Sequence, residues 1–571
     1  MSKKEDVAMT SVNGIPGDTC VENKRKVLKF DEVLKEVGEF GLYQKRLLFL
    51  VCLTGGCVIM QNLSPVITMK SPKHRCKIPG YANDTYEIQS PAHEFLVNMT
   101  IPVSSDGSYE QCDMYDVTYL DGDLLLSNTS KSKTVGCAEW VYDRSAFTET
   151  LVSELDLVCE KKIYRSHSSM MIFAGKFVGA FLNSVGGDYF GRRRVYTFMM
   201  LAMVASAVGL VFVSSLPALM ALRFFAGGTT TGSYLCTYVI GMELMGLSQR
   251  RWTSLAYKIS EISLALLAVL FAYLLRDWHH FQASLAAPFI PESPRWLMSK
   301  GRMAEAQKVM DDVARVNGVA MAPRLEADSS EVILTKQQSE QDKKAVVSPV
   351  QLFRIPRLLV RYTLLYFSWI FIIMCMYGLM LNVSNMSGDI FLNFALMSAV
   401  DILAVVIYVL LIERVGRRPL LVGVTALGGL ACLATILPTI FGGSSWVLRG
   451  LSIAGRMCIT AALTTIYVMS PELFPTVLRS FGLGSCSMLA RIGGLASPYV
   501  ADLNTYVSGV WGPALPQVVF GIAGVTTAGM VLVLPETRGR HLPETVRDAE
   551  MFGRVYVDKV LETNVPKPEK A

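Results

Sequence analysis

The sequence predicts an all-α polytopic membrane protein built as two six-span halves. Three observations point there: the composition, the lengths of the apolar runs and an internal duplication. Of 571 residues, 51% are hydrophobic and 18% charged, where a soluble domain carries about 25% charged residues. This excludes an ordinary soluble enzyme, a disordered scaffold and a nucleic-acid binder. The net charge of +6 sits beside apolar runs and is not spread over a binding face.

A helix needs about 20 mostly apolar residues to cross the hydrocarbon core. Eleven stretches qualify: 47–69, 166–187, 195–214, 217–241, 252–275, 358–382, 390–412, 420–441, 446–470, 480–501 and 514–534. A twelfth run, 281–290, has ten residues and reaches about 15 Å, half the core. In chain order these are spans 1 to 12, with the short run as span 6. The division is an N-terminal segment 1–46, a first half 47–290 with a large loop 70–163, a linker 291–357, a second half 358–534 and a tail 535–571.

The first 28 residues are polar and lack the apolar centre of a cleavable signal peptide, so none is expected. In 30–43, Phe30, Val33, Leu34, Val37 and Phe40 recur at helical spacing. This predicts an amphipathic helix lying on the membrane ahead of span 1, with a short cytosolic helix as the alternative.

Lys and Arg placement gives the orientation. Lys45, Arg46, Arg192, Arg193, Arg194, Arg250, Arg251, Arg414, Arg417, Arg418 and the eleven Lys and Arg of 291–357 share one side if twelve spans exist. Both termini are then cytoplasmic and the chain sits in the plasma membrane with 70–163 outside. Without a crossing at 281–290 every later span would be inverted. The loop 70–163 carries Cys76, Cys112, Cys137 and Cys159, an even count suited to two disulfides in an oxidising space. Their pairing cannot be read from sequence. Glycosylation triplets begin at Asn83, Asn98 and Asn128.

The duplication rests on three matched pairs. Asp188-Tyr-Phe-Gly191-Arg192-Arg193 follows span 2, and Glu413-Arg-Val-Gly416-Arg417-Arg418 follows span 8. Glu243 and Arg250 follow span 4 with the spacing that Glu472 and Arg479 show after span 10. Pro291-Glu-Ser and Pro535-Glu-Thr end the two halves. A duplicated bundle predicts two halves rocking about a midplane site. Gly191 and Gly416 allow tight turns. The acids and arginines of these loops are expected to form cytoplasmic ion pairs that hold the inner side closed. The alternative is plain charge anchoring.

These loop motifs, with PESPRWL at 291–297 and PETRGRHLPET at 535–545, resemble the major facilitator superfamily. HRCKIPG at 74–80 and CAEWVYDRSAFTETLVSELDLVC at 137–159 resemble its organic ion transporters, the organic cation, carnitine and organic anion carriers. FDEVLKEVGEFGLYQ at 30–44 and PELFPTVLRSFGLG at 471–484 are similar to that family too. The resemblance implies a twelve-span carrier working by alternating access. In the family a full apolar helix lies between Arg276-Asp-Trp and PESPRWL. Here only twelve residues lie there, about ten too few, which leaves open a non-transporting or incomplete form.

Ionisable groups at mid-bilayer are costly and mark substrate paths. Five stand out: Lys176, Lys258, Glu261, Asp401 and Arg491. Lys258 and Glu261 are three apart and can neutralise each other. Asp401 and Arg491 can pair with each other, or each can hold one end of a substrate. In the family, the Arg491 position is acidic in cation carriers, whereas carnitine and anion carriers tend to have Arg. Lys258 stands where cation carriers have Gln, and Val405 where anion carriers often add a Lys. Tyr234, Tyr238, Trp369 and Tyr377 match pocket aromatics, whose faces attract quaternary ammonium groups. The expected cargo is a small organic cation or a carnitine-like zwitterion, with an organic anion as the alternative. Five intramembrane charges argue against a sugar. With no Gly-rich phosphate loop, no metal spacing and no catalytic arrangement, neither an enzyme nor a cofactor is expected. The driving force is left open among membrane potential, Na+ and exchange. The expected partners are the organic ion and the bilayer, with no nucleic acid and the oligomeric state open.

Overall fold

The computed structural model describes residues 27–28, 30–38, 40–104, 108–120, 123–126, 134–245, 249–279, 302–319, 324–325, 354–383, 388–475, 478–507, 512–540, 543 and 546–552. Span 6 (281–290), Pro291-Glu-Ser and Asn128 lie outside the described residues, as do the side chains of Asp188, Arg192, Glu243 and Arg250.

The other eleven apolar runs are long helices. They are Leu42–Thr68, Ile163–Phe190, Arg192–Val211, Leu216–Glu243 and Arg250–Leu275 in the first half. The second half has Pro356–Asn382, Ile390–Val415, Arg417–Ala434, Ser445–Leu473, Arg479–Ala501 and Leu515–Val533. Eight helices among the described residues are long and apolar enough to cross a membrane. Spans 2, 4 and 11 are the rest, and they carry Lys176, Arg223 and Arg491.

The duplication is visible in packing. Span 1 packs on 5 as 7 packs on 11, and 2 on 4 as 8 on 10. Small residues bring helices together where lipid gives no hydrophobic drive. A Cβ on Gly175 would lie 1.9 Å from the Phe224 carbonyl oxygen of span 4, and one on Gly493 would lie 2.0 Å from that of Ile370 in span 7. Gly191 and Gly416 share a backbone turn, with φ of 100° and 103°, which a side chain rarely adopts. Each half has its own buried core, one around Tyr196 and Tyr257, the other around Tyr362, Trp369 and Phe474.

The halves meet along spans 2 and 11 and along spans 5 and 8. A cluster of Met60, Leu63, Ala268 and Ala272 with Ile390, Phe394 and Met397 seals them on the face carrying 70–163, the loop face. There Phe391 packs against Phe147 and Tyr273, with ring centroids 5.2 and 5.4 Å apart.

The N-terminal helix Phe30–Val37 is shorter than the spacing over 30–43 predicts, ending before Gly38 at φ 104° and leaving Phe40 exposed outside it, and its apolar side does not lie on a membrane. Val33, Leu34 and Val37 are fully buried against Ala306, Met310 and Val313 of the linker helix Met303–Asn317. Asn317 ties the joint: its amide donates to the Val37 carbonyl and the Gln44 side chain, and its carbonyl oxygen accepts from the Tyr43 N–H. An apolar stripe on the linker outcompetes lipid for the same face.

The loop 70–163 folds as short antiparallel strand pairs, among them His74–Cys76 with Trp140–Tyr142 and Asp113–Tyr115 with Thr134–Gly136. Disulfides join Cys76 to Cys137 and Cys112 to Cys159. Its centre holds a buried pair: Arg75 bonds both oxygens of Asp84, and His93 Nε2 lies 3.0 Å from the same carboxylate. Burial alone would raise the Asp84 acid. The bonds from Arg75, the Ile78 N–H and His93 outweigh burial and hold it below the usual carboxylate range. Asn83 and Asn98 are exposed.

Candidate functional site

Side chains of both halves converge between spans 2, 4, 5, 7, 10 and 11. Lys176 is 4% exposed, yet it faces no carboxylate among the described residues. Its ammonium lies 4.8 Å from the Phe173 ring centre and 4.9 Å from that of Tyr377 in span 7. Aromatic faces offset part of the cost of the buried cation. Arg491 of span 11 is half-buried and within electrostatic reach of Lys176, Tyr377 and Tyr467. The structure thus places Lys176 and Arg491 together, one from each half.

Lys258 and Glu261 form the i,i+3 pair that their spacing predicts, at 2.7 Å, with side chains 46% and 7% exposed. Beside them stand Tyr234, Tyr238 and Tyr257, with ring centroids 5.6–6.3 Å apart. Tyr257 was not foreseen. Its ring fills the space where a Cβ on Gly55 of span 1 would lie, 2.8 Å away. Tyr467 of span 10 faces this group across the cleft, within electrostatic reach of Lys258 and Tyr234. It is 43% exposed. Because its neighbours lie on both halves, that exposed surface is cleft surface.

Two expectations are corrected. Asp401 does not pair with Arg491. It is held by Arg456 of span 10, with Nη2 3.0 Å from Oδ2 and Nε 3.3 Å from Oδ1, and Thr460 donates a further hydrogen bond. Arg456 also donates to the Met376 carbonyl of span 7. Arg456, only 5% exposed, was missed although it is, with Arg449, one of two charges in the apolar run 446–470. Trp369 does not line the cleft. It is fully buried in the second-half core, donates to Ser470 Oγ at 2.8 Å, and stands behind Tyr467 at a centroid distance of 4.6 Å. Arg223 was missed too. It is 3% exposed in span 4 and donates to Thr68 Oγ1 at 2.9 Å.

The face opposite the loop face, which carries the linker, holds the repeated loop motifs. In the second half Arg417 lies 3.5 Å from both Glu413 and Glu472. Thr537 donates to Glu472, and Arg418 donates to the Leu532 carbonyl. Glu536 accepts the backbone N–H groups of Arg417 and Arg418 at 3.1 and 3.0 Å, so it neutralises the amide end of span 9. This closeness needs Gly416, since a Cβ there would lie 2.9 Å from Glu536 Oε2. The Nε of Arg479 is buried without a hydrogen bond. The network lies within one half. Among the described residues no ion pair joins the two halves on this face.

The family model for sugar (and other) transporters matches residues 113–250 and 256–549. An organic cation transporter protein of Drosophila melanogaster is 31% identical over 92% of this chain and 95% of its own length. The chain belongs to the organic ion transporter family of the major facilitator superfamily. Solute carrier family 22 member 1 of Oryctolagus cuniculus is 31% identical over 92% of this chain and 96% of its own. Solute carrier family 22 member 2 of Homo sapiens is 29% identical over 93% and 96%. The fold is similar to that of the xylose transporter XylE from E. coli, whose structure was solved in an inward-open conformation, with TM-score 0.53, 15% identity, and 71% of this chain and 93% of that chain covered. This chain is a multi-pass membrane transporter, not an enzyme.

Proposed function

We propose that the chain carries small organic ions bearing both an ammonium and a carboxylate, by alternating access across the plasma membrane. The observation that carries this is the charge balance of the cleft. Arg456 neutralises Asp401, and Glu261 neutralises Lys258. Lys176 and Arg491 remain, one on each half, so a carboxylate has two partners that draw the halves together. The ammonium end fits the tyrosine group beside Glu261. Relatives named organic cation transporters support the ammonium. The buried positive pair supports the carboxylate.

The lysine and arginine bias puts the loop face outside and both termini in the cytoplasm. The disulfides and the exposed Asn83 and Asn98, read as glycosylation sites, support that orientation. The cleft is sealed on the loop face, so this state faces the cytoplasm. The proposed cycle needs no cofactor; potential, Na+ or exchange supplies the work.

The test is uptake of three labelled compounds, side by side, in one expressing cell: a quaternary amine, a quaternary amine with a carboxylate, and an aromatic carboxylate. The zwitterion is expected to accumulate fastest. Accumulation of the aromatic carboxylate alone would overturn the reading.

A further inference from the structure

On the loop face the halves are joined by an ionic contact as well as by apolar packing. Asp502 follows the last residue of span 11. Ser166 and Arg165 lie in the first turn of span 2. Ser166 Oγ donates to Asp502 Oδ2 at 2.8 Å. Arg165 Nη2 stands 3.8 Å from Asp502 Oδ1, and these two side chains are 9% and 14% exposed. One residue on, the His167 ring meets Tyr499 of span 11 edge-on at 5.7 Å. Among the described residues, Asp502 is the carboxylate paired with Arg165. The surroundings are otherwise basic: burial and the charge of Arg165 push the nearby Lys70 ammonium down to about 8. A cavity of about 20 Å³ lies beneath, lined by Pro65, Met69, Arg165, Ser169, Leu381 and Asp502. It has room for about one water.

We propose that Asp502, held by Ser166 and Arg165, is the polar latch of the outer gate, and that the halves part on the loop face only when it releases. The inference rests on the carrier reading. The apolar seal of Phe147, Tyr273 and Phe391 is non-directional and tolerates sliding. A carboxylate hydrogen-bonded by a hydroxyl, with a guanidinium 3.8 Å away as its ion-pair partner, fixes the ends of spans 2 and 11 in one register. Opening separates the three groups, and each then regains water, so release costs far less than the bare bonds suggest. That balance suits a contact that must break and re-form in every cycle.

Two measurements test this. First, Ser169→Cys places a thiol in the cavity under the latch, and a membrane-impermeant thiol reagent is applied from the loop face. Adding Asp502→Asn, or separately Ser166→Ala, is expected to raise the labelling rate about tenfold, the weight of one charge-assisted bond. An unchanged or slower rate at equal surface expression overturns the latch. Second, Ser166→Cys with Asp502→Cys is bridged by a short methanethiosulfonate cross-linker. Uptake of the zwitterion is expected to stop and to return on reduction, with the single-cysteine chains unaffected. Uptake that continues in the bridged chain overturns the latch. If the parent chain takes up no organic ion, the carrier reading fails, and the labelling rates still decide the latch.

Discussion

Two acid–base pairs border the cleft, and they differ in what surrounds them. Arg456 grips Asp401 through two nitrogens, Thr460 adds a third bond, and the side chains are 6% and 14% exposed. Lys258 holds Glu261 through one contact, and the Lys258 side chain is 46% exposed. The first pair ties spans 7, 8 and 10 into one body. The second lies open to the cleft, where either member can exchange its partner for a substrate. A pair of opposite charges in a membrane therefore marks a binding site only when one member still has accessible surface. Where several bonds hold the acid and little surface is left, as at Asp401, the pair is a strut.

Breaking the strut should have the largest effect. Arg456→Gln leaves Asp401 buried and uncompensated, and is expected to cost about 3–5 kcal/mol, read as lost surface expression and a lower melting temperature in detergent. Combining it with Asp401→Asn should recover much of the loss, because no lone charge remains.

The Arg75–Asp84 pair outside the membrane gives the comparison a third point. The Asp84 acid is held below its ordinary value in the fold, so its contribution is present above about pH 4 and is lost as pH falls through the lower folded value. Acid unfolding of the loop 70–163, followed by limited proteolysis, should show this. Asp84→Asn should destabilise the loop at neutral pH and flatten its acid dependence.

The open pair should behave differently. Glu261→Gln is expected to leave expression unchanged and to raise KM for the zwitterion about fivefold, the range of one screened charge contact at the cleft wall. A still smaller effect, about threefold in KM, is expected for Tyr467→Ala, which removes one aromatic face. Equal losses of expression for Glu261→Gln and Arg456→Gln would erase the distinction between strut and site.

All eleven full-length runs are long helices in the fold, and eight of them are apolar enough to cross a membrane, because 20-residue apolar runs follow from bilayer thickness alone. The repeat was legible too in the described spans, since Gly191 and Gly416 mark the same turn. Which face of a span looks at the cleft was not. A membrane helix is apolar towards lipid and towards its neighbours alike, so Trp369 and Tyr467 carry the same sequence signal, and only packing separates them. The partner of Asp401 was hidden for a related reason. Arg456 announces itself as a charge at the middle of an apolar run, where Arg449 stands near its end, but pairing across helices is a tertiary fact. Glu536 read as a repeat marker because its role depends on the chain returning to the amide end of span 9. The N-terminal helix was read correctly by period and wrongly by partner, because periodicity shows an apolar face and not what covers it.

The most direct measurement is the ratio of zwitterion uptake to quaternary-amine uptake in the parent chain and in Arg491→Gln, at matched surface expression. If Lys176 and Arg491 hold the carboxylate, the ratio falls at least about tenfold, the loss of one charge-assisted bond, while amine uptake stays or rises. If both compounds lose uptake equally, or neither does, the carboxylate does not sit between the halves and the account of the cleft is wrong.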